Sequence, residues 1–228
     1  PGIGYRFQAD DSRTIITPPS EPTDGLRVIN PLPQRVDDRF IGREHEQQIL
    51  LDLLEKRTRL ISIYGRAGIG KTALVCKVLA DLQTPDAPIA IDGMVFLSAA
   101  STGIGMARIF ADFGRLLGDD KNELDSGELA QRITALLERL SRGNYILLLD
   151  NLESVQNSAT GELLDADLQL FFKMAVEQSG ALRIIITSRE PLFIPASTRT
   201  YERRLELNEG LSLEDSIALL RRCDVDGT

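Results

Sequence analysis

Eight consecutive residues, Gly65-Arg66-Ala67-Gly68-Ile69-Gly70-Lys71-Thr72, follow the spacing G-x-x-x-x-G-K-[ST] in full. Residues of these types at this spacing suit the capture of a polyphosphate. Gly65 and Gly70 permit backbone angles and a closeness of approach that a Cβ would forbid. The amide groups of the turn, carried by Arg66, Ala67, Gly68 and Ile69, combine with the positive end of the helix that follows to form an anion nest. Lys71 can reach the β- and γ-phosphates, and Thr72 can place its hydroxyl on Mg²⁺. Ala73 extends the phosphate-facing stretch into the first helical turn. A plain turn between a strand and a helix has no need of the Gly-Lys-Thr triplet.

Two further clusters could complete that chemistry. The run Ile146-Leu147-Leu148-Leu149 ends in Asp150, the form of a Walker B element, whose carboxylate holds Mg²⁺ through its water shell. Strands often end in Asp because it favours turns, so the weight of this reading comes from the phosphate loop upstream. Hydrolysis also needs a group that orients or deprotonates the attacking water. The position after Asp150 is Asn151, which can orient water but cannot take its proton. Glu153, three residues beyond Asp150, is the next candidate for a base, and turnover is expected to be slow. The run from Arg183 to Ile186 ends in Thr187-Ser188-Arg189, and an arginine there can read a γ-phosphate through its planar fork of donors. The expected catalytic set is Lys71, Asp150, Glu153 and Arg189, with Thr72 and Asp150 as metal ligands.

The elements that must position these residues follow from periodicity. Helices are expected over residues 44–56, 71–82, 106–117, 129–140, 168–178 and 213–222, and strands over 60–64, 93–98, 145–150, 182–187 and 201–207. Alternation of this kind predicts an α/β three-layer sandwich, a P-loop nucleoside triphosphatase fold with a parallel five-stranded sheet. Ligands on such sheets sit at the carboxyl ends of the strands, and all three polar clusters follow a strand directly. Residues 1–38, broken by Pro18-Pro19, Pro22, Gly25, Pro31 and Pro33, read as an irregular linker. Within it Val28-Ile29 and Leu32 are apolar enough to lie against the main domain, which is expected over residues 39–228. Ser212 with Asp215 three residues on approximates a capping box for the last helix. Gly103-Ile104-Gly105 reads as a helix start with no ligand.

Bulk composition narrows the function classes. The chain has 228 residues and a formal net charge of −8, which lacks the electrostatic footprint of a dedicated nucleic-acid binder. His45 is the only histidine, so a His-based zinc site or a Ser-His-Asp triad has almost no material. Cys76 and Cys223 show no metal-clip or disulfide spacing, and a reducing, cytoplasmic compartment is expected. No apolar run approaches the roughly 20 residues that cross a bilayer, and no signal peptide stands at the start. The first residue is Pro1, as expected of a segment of a longer protein.

Four motifs in order make the chain similar to STAND-class signalling ATPases, the group that holds NB-ARC and NACHT modules. They are Phe40-Ile41-Gly42-Arg43-Glu44, the loop Gly65 to Thr72, the acidic strand Leu147 to Asp150, and Thr187-Ser188-Arg189. The similarity covers roughly residues 38 to 222. It implies adenine as the base, with Phe40, Ile41 and Arg43 at the base and ribose site. No Asn-Lys-x-Asp guanine-reading motif stands in the chain. The Asn151-Leu152-Glu153 ending resembles the NACHT-like and bacterial branches, and residues 154–165 are expected to form an extra loop. The family's helical lid and winged helix have no counterpart in this sequence, so by resemblance the segment binds nucleotide more weakly than a full-length member.

The resemblance implies an ATP/ADP switch with Mg²⁺, partnered through self-oligomerisation and through effector and sensor domains in cis, with no membrane or nucleic-acid role. Three rivals stand beside it. A force-generating ATPase of the AAA+ type would want an acid directly after Asp150. A non-hydrolysing scaffold would hold nucleotide only to stabilise its fold. A metabolic kinase would need an acceptor site that the sequence does not display.

Overall fold

Apolar runs without alternation, such as Ile146 to Leu149 and Ile184 to Ile186, call for burial on both faces, and they form the inner strands of one parallel sheet. The computed structural model describes residues 26–33, 40–84, 86–101, 103–119, 127–178, 180–194 and 199–223. Its elements in chain order are β1 (Arg27–Ile29), α1 (Glu44–Glu55), β2 (Leu60–Gly65), α2 (Lys71–Asp81), β3 (Gly93–Ser98), α3 (Met106–Leu117) and α4 (Leu129–Leu140). They continue with β4 (Tyr145–Asp150), α5 (Ala166–Gln178), β5 (Leu182–Ser188), β6 (Glu202–Leu207) and α6 (Leu213–Cys223). The strands lie in the order β1-β3-β4-β5-β2-β6, and every neighbouring pair is parallel.

Two apolar clusters cover the sheet, one on each face. On one side α1 and α2 set Leu50, Leu54, Leu74, Val75, Val78 and Leu79 against Ile61, Ile63, Ile146, Leu148 and Ile185. On the other, α3, α4 and α5 set Ile109, Phe113, Leu136, Leu140, Phe171 and Val176 against Val95, Leu147, Leu149, Ile184 and Ile186. The expected three-layer P-loop fold is the one observed. Alternate residues of each inner strand feed opposite clusters, which is why these strands carry almost no polar residues before their carboxyl ends. At the sheet edge, β6 reverts to partial alternation, with Glu202, Leu205 and Leu207 buried and Arg203, Arg204 and Glu206 exposed.

The sheet has six strands rather than the expected five. The addition is β1, which lies inside the stretch read as linker and pairs with β3 from Arg27↔Gly93 to Ile29↔Val95. Local pattern could not identify it, because three residues between prolines carry no periodicity. Tertiary contacts hold it in place. Arg27 donates to the Leu116 carbonyl at 2.8 Å, and Asn30, at φ 60°, donates to the Phe96 carbonyl at 3.0 Å and to Asp112 Oδ2 at 2.7 Å. Asp112 is 1% exposed and also accepts from Arg108 at 2.9 Å and from Arg115. Leu26, Val28 and Leu32 pack against the core as expected of an apolar part of that stretch, while residues 1–25 and 34–38, and residues 120–126 of the polar stretch between α3 and α4, lie outside the described residues.

The largest difference at a helix boundary falls where a side chain caps. Helix α5 starts at Ala166, two residues earlier than apolar spacing suggests, because Asp165 Oδ1 accepts from the amides of Asp167 at 2.8 Å and Leu168 at 3.3 Å. At α6 the Ser212 hydroxyl accepts from the Asp215 amide at 3.0 Å and donates to Asp215 Oδ2 at 2.8 Å. Residues 151–165, which include the stretch 154–165 expected to loop, connect β4 to α5. A 3₁₀ turn, Leu152–Val155, leads into an antiparallel bridge between Gln156 and Leu163.

Candidate nucleotide-binding site

Parallel register brings the carboxyl ends of four strands to one edge. Ser98 lies opposite Asp150 across β3 and β4, and Tyr64 lies opposite Ser188 across β2 and β5. The loop Gly65 to Gly70 leaves β2 at this edge. Gly65 has φ 150°, and a Cβ there would stand 2.3 Å from the Leu207 carbonyl oxygen of β6. Gly68 and Gly70 also have positive φ. Helix α2 begins at Lys71 with no side-chain cap and no acidic residue in its first turn. The positive field of its amino terminus is therefore not neutralised by its own sequence.

Lys71 and Thr72 open that helix. Lys71 is 8% exposed, and its ammonium donates to the Gly65 carbonyl at 2.8 Å and the Arg66 carbonyl at 3.0 Å. Burial lowers its pKa below the ordinary lysine range; the Glu153 and Asp150 carboxylates oppose that shift, and the Arg189 cation adds to it. Thr72 Oγ1 donates to Asp150 Oδ1 at 2.6 Å.

Asp150, 4% exposed, is the centre of the edge. Besides Thr72, it accepts from Thr187 Oγ1 at 2.6 Å on Oδ1 and from Ser98 Oγ at 3.5 Å on Oδ2. The Thr187 hydroxyl in turn accepts from the Asn151 amide at 3.1 Å, where the chain turns through φ 59°. One carboxylate thus links β3, β4, β5 and the first turn of α2. Thr187 stands in the Thr-Ser-Arg motif, in which only Arg189 has an expected role, and Ser98 carries no signal but its place at a strand carboxyl end.

The expected base and sensor meet each other. Arg189, just past β5, donates from Nε to Glu153 Oε1 at 3.1 Å. Glu153 Oε2 is buried and accepts no hydrogen bond.

Beside the loop lies a cavity of about 350 Å³ lined on one side by Phe40, Ile41 and Arg43 and on another by Gly68, Ile69, Gly70 and Ala73. Its third wall is Gly210, Leu211 and Leu219, which the sequence reading missed because no motif marks them. Arg43 adopts φ 60° before α1, and its guanidinium ties the walls together. Nη1 donates to Glu46 at 2.9 Å, and Nη2 donates to the carbonyls of Ile69 and Glu209, each at 2.9 Å. Arg66 and Ala67 are exposed at the crown of the loop and do not line this cavity. A second apolar cavity, about 330 Å³ beside α5, holds none of the motif residues.

Among the described residues no group of three or more His, Cys, Asp or Glu side chains is arranged to hold a metal. A cation at this edge would rest on the hard oxygens of Thr72 and Asp150, with phosphate oxygens and water completing its shell, which fits Mg²⁺. No helix among the described residues is long and apolar enough to cross a membrane.

A wholly parallel sheet, a glycine loop opening a helix, and an acidic strand end in hydrogen-bond contact with that helix define a P-loop nucleoside triphosphatase domain. Residues 39–186, more than half of the chain, match the model of the AAA ATPase domain family, and the chain belongs to that family. Among solved structures the chain is similar to the Aeropyrum pernix ORC1 protein in complex with DNA, with 18% identity over 85% of this chain and 52% of that one, at a TM-score of 0.59. It is similar to Drosophila ORC bound to DNA, with 16% identity over 100% of this chain and 56% of that one, at a TM-score of 0.54. It is also similar to Saccharomyces cerevisiae Hsp104 in complex with casein, with 20% identity over 85% of this chain and 31% of that one, at a TM-score of 0.51. At such identities the likeness is one of fold. The chain spans about half the length of the Aeropyrum pernix ORC1 and Drosophila ORC chains. No curated protein sequence matches it.

Proposed function

We propose that this domain binds Mg²⁺-ATP at the β2–α2 loop and acts as an ATP/ADP switch, of the STAND kind, within a larger signalling protein. The observation that carries the proposal is the Thr72–Asp150–Thr187 chain, in which one buried carboxylate joins the phosphate-loop helix to the strand that leads into Arg189. A change at the loop is thereby coupled to the β5 end, where a sensor residue belongs.

The roles follow from the chemistry of each group. Loop amides and the uncapped amino terminus of α2 receive the β- and γ-phosphates. Lys71 exchanges two neutral carbonyl acceptors for charged phosphate oxygens, a stronger partnership. Thr72 and Asp150 would hold Mg²⁺, which would supply charge neutralisation to the phosphates. Phe40, Ile41 and Leu219 offer apolar surface to an adenine ring, while Arg43 holds that pocket's walls. Asn151 can orient water but not take its proton, and Glu153 is the acid that would accept it, so slow turnover is expected. Protein partners, including further copies in an oligomer and effector and sensor domains in cis, would read the switch. The net charge of −8 argues against nucleic acid.

The family match favours a second reading, an AAA+ motor acting on protein or nucleic acid. Asn151, where a motor would carry an acid, counts against it. Calorimetry of the Lys71→Ala variant tests the site itself. Nucleotide affinity is expected to disappear, and unchanged affinity removes the assignment. Fast steady turnover stimulated by DNA or unfolded protein would decide for the motor.

A further inference from the structure

Arg189 and Glu153 hold different kinds of position. Glu153 sits in the 3₁₀ turn after β4, its side chain 23% exposed, while the Arg189 side chain is 62% exposed. The segments that carry them are fastened by two sheltered bonds, from the Asn151 amide to Thr187 Oγ1 at 3.1 Å and from Ser188 Oγ to Gln156 Oε1 at 2.9 Å. The Arg189–Glu153 contact is a further tie between these segments and more open to solvent than those two. It is also single. Only Nε donates, the two terminal nitrogens of Arg189 bond to no described residue, and Glu153 Oε2 accepts nothing. A contact of this kind exchanges readily, because an exposed pair shifts an equilibrium by at most about five-fold. A phosphate dianion can engage the guanidinium through two parallel bonds.

We propose that Glu153 and the γ-phosphate of ATP compete for the Arg189 guanidinium. Arg189 then sets the preference for triphosphate over diphosphate, and it releases Glu153 only when a triphosphate is bound. Glu153 accordingly weakens ATP binding and leaves ADP binding untouched. When Arg189 moves to the phosphate, Oε1 of Glu153 is left to accept from a water molecule, so base and substrate become ready together. With ADP bound the pair stays closed. The inference rests on the ATP-site reading above and adds to it a sign, that removing the acid improves ATP affinity through the arginine.

The test is calorimetric titration of the whole chain with Mg²⁺-ADP and with a non-hydrolysable Mg²⁺-ATP analogue. It compares wild type, Glu153→Gln, Arg189→Gln and the double variant. Glu153→Gln is expected to tighten the ATP analogue by about two- to five-fold with ADP unchanged. Arg189→Gln is expected to weaken the analogue by about ten-fold or more, again with ADP unchanged. In the double variant the gain from Glu153→Gln should vanish. If that gain persists without Arg189, it comes from removal of a negative charge near the phosphates, and competition is overturned. Equal shifts for ADP and ATP overturn it as well. A wild-type chain that binds neither nucleotide defeats the ATP-site reading, and the competition with it, a result distinct from either of those.

Discussion

Thr187 Oγ1 stands 2.6 Å from Asp150 Oδ1 while accepting the Asn151 amide at 3.1 Å, so one hydroxyl joins the acidic end of β4 to the end of β5. Both partners are buried, Thr187 fully and Asp150 to 4% exposure. A bond between a buried hydroxyl and a carboxylate counts twice. It satisfies a charge withdrawn from water, and it fixes which way the carboxylate faces.

Thr187→Val keeps the shape of the side chain and removes both bonds. Denaturant unfolding is expected to register a loss of about 1–3 kcal/mol, the cost of leaving buried polar groups unpaired. ATP affinity should fall more in the presence of Mg²⁺ than in EDTA, because Asp150 is the group disturbed. Equal loss under both conditions would mean that Thr187 supports the fold alone.

Two loop glycines are expected to separate folding from binding. At Gly65 an added Cβ meets the Leu207 carbonyl oxygen at 2.3 Å, so Gly65→Ala forces β6 away from β2 and should lower the melting temperature severely. Gly68→Ala meets nothing within 4 Å and costs only its φ of 75°, about 1–2 kcal/mol. That variant should stay folded yet bind ATP at least about ten-fold more weakly, as the methyl group crowds the phosphate cradle. Comparison of melting curves with calorimetric affinities checks the split.

Asp112 tests the sixth strand. Asp112→Ala leaves Asn30, Arg108 and Arg115 without their shared acceptor. It should destabilise the chain by about 1–3 kcal/mol, less than a fully buried pair because both arginines reach solvent. Limited proteolysis should cut first near residues 26–33. Unaltered cleavage there would mean that β1 is held by its pairing with β3 alone.

Cys76, 1% exposed in α2, has its thiol pushed up to about 12 by burial, with the Asp150 charge adding to the shift. The native protein should therefore resist iodoacetamide at Cys76 at pH 8.5 and react there once unfolded, as read by peptide mass mapping. Between about pH 9 and 12 the unfolded chain gives up a proton that the folded chain keeps, so stability falls as pH rises across that window. Cys76→Ala should flatten this decline relative to wild type.

How much could be read before the fold was known depended on the range of the interactions. The phosphate loop, the acidic strand end and the terminal Thr-Ser-Arg are each written within a few consecutive residues, because backbone conformation and strand burial are local demands. The layered fold was legible for the same reason, since a strand covered on both faces needs an unbroken apolar run. The inner strands and α3 and α4 accordingly lie within a residue of where periodicity put them.

Contacts between distant segments were not legible. β1 is held in place because Asn30 reaches Asp112 across 82 residues, and the third wall of the cavity beside the loop is tied in because Arg43 reaches the Glu209 carbonyl across 166. Residue types and spacing alone determined that this chain carries a phosphate loop on a parallel sheet. Only the tertiary structure decided that Asp150 is shared by Thr72 and Thr187, and that Glu153 is held by Arg189. The physical reason is that a hydrogen bond depends on separation in space, and parallel register, not chain order, sets that separation at the sheet's edge.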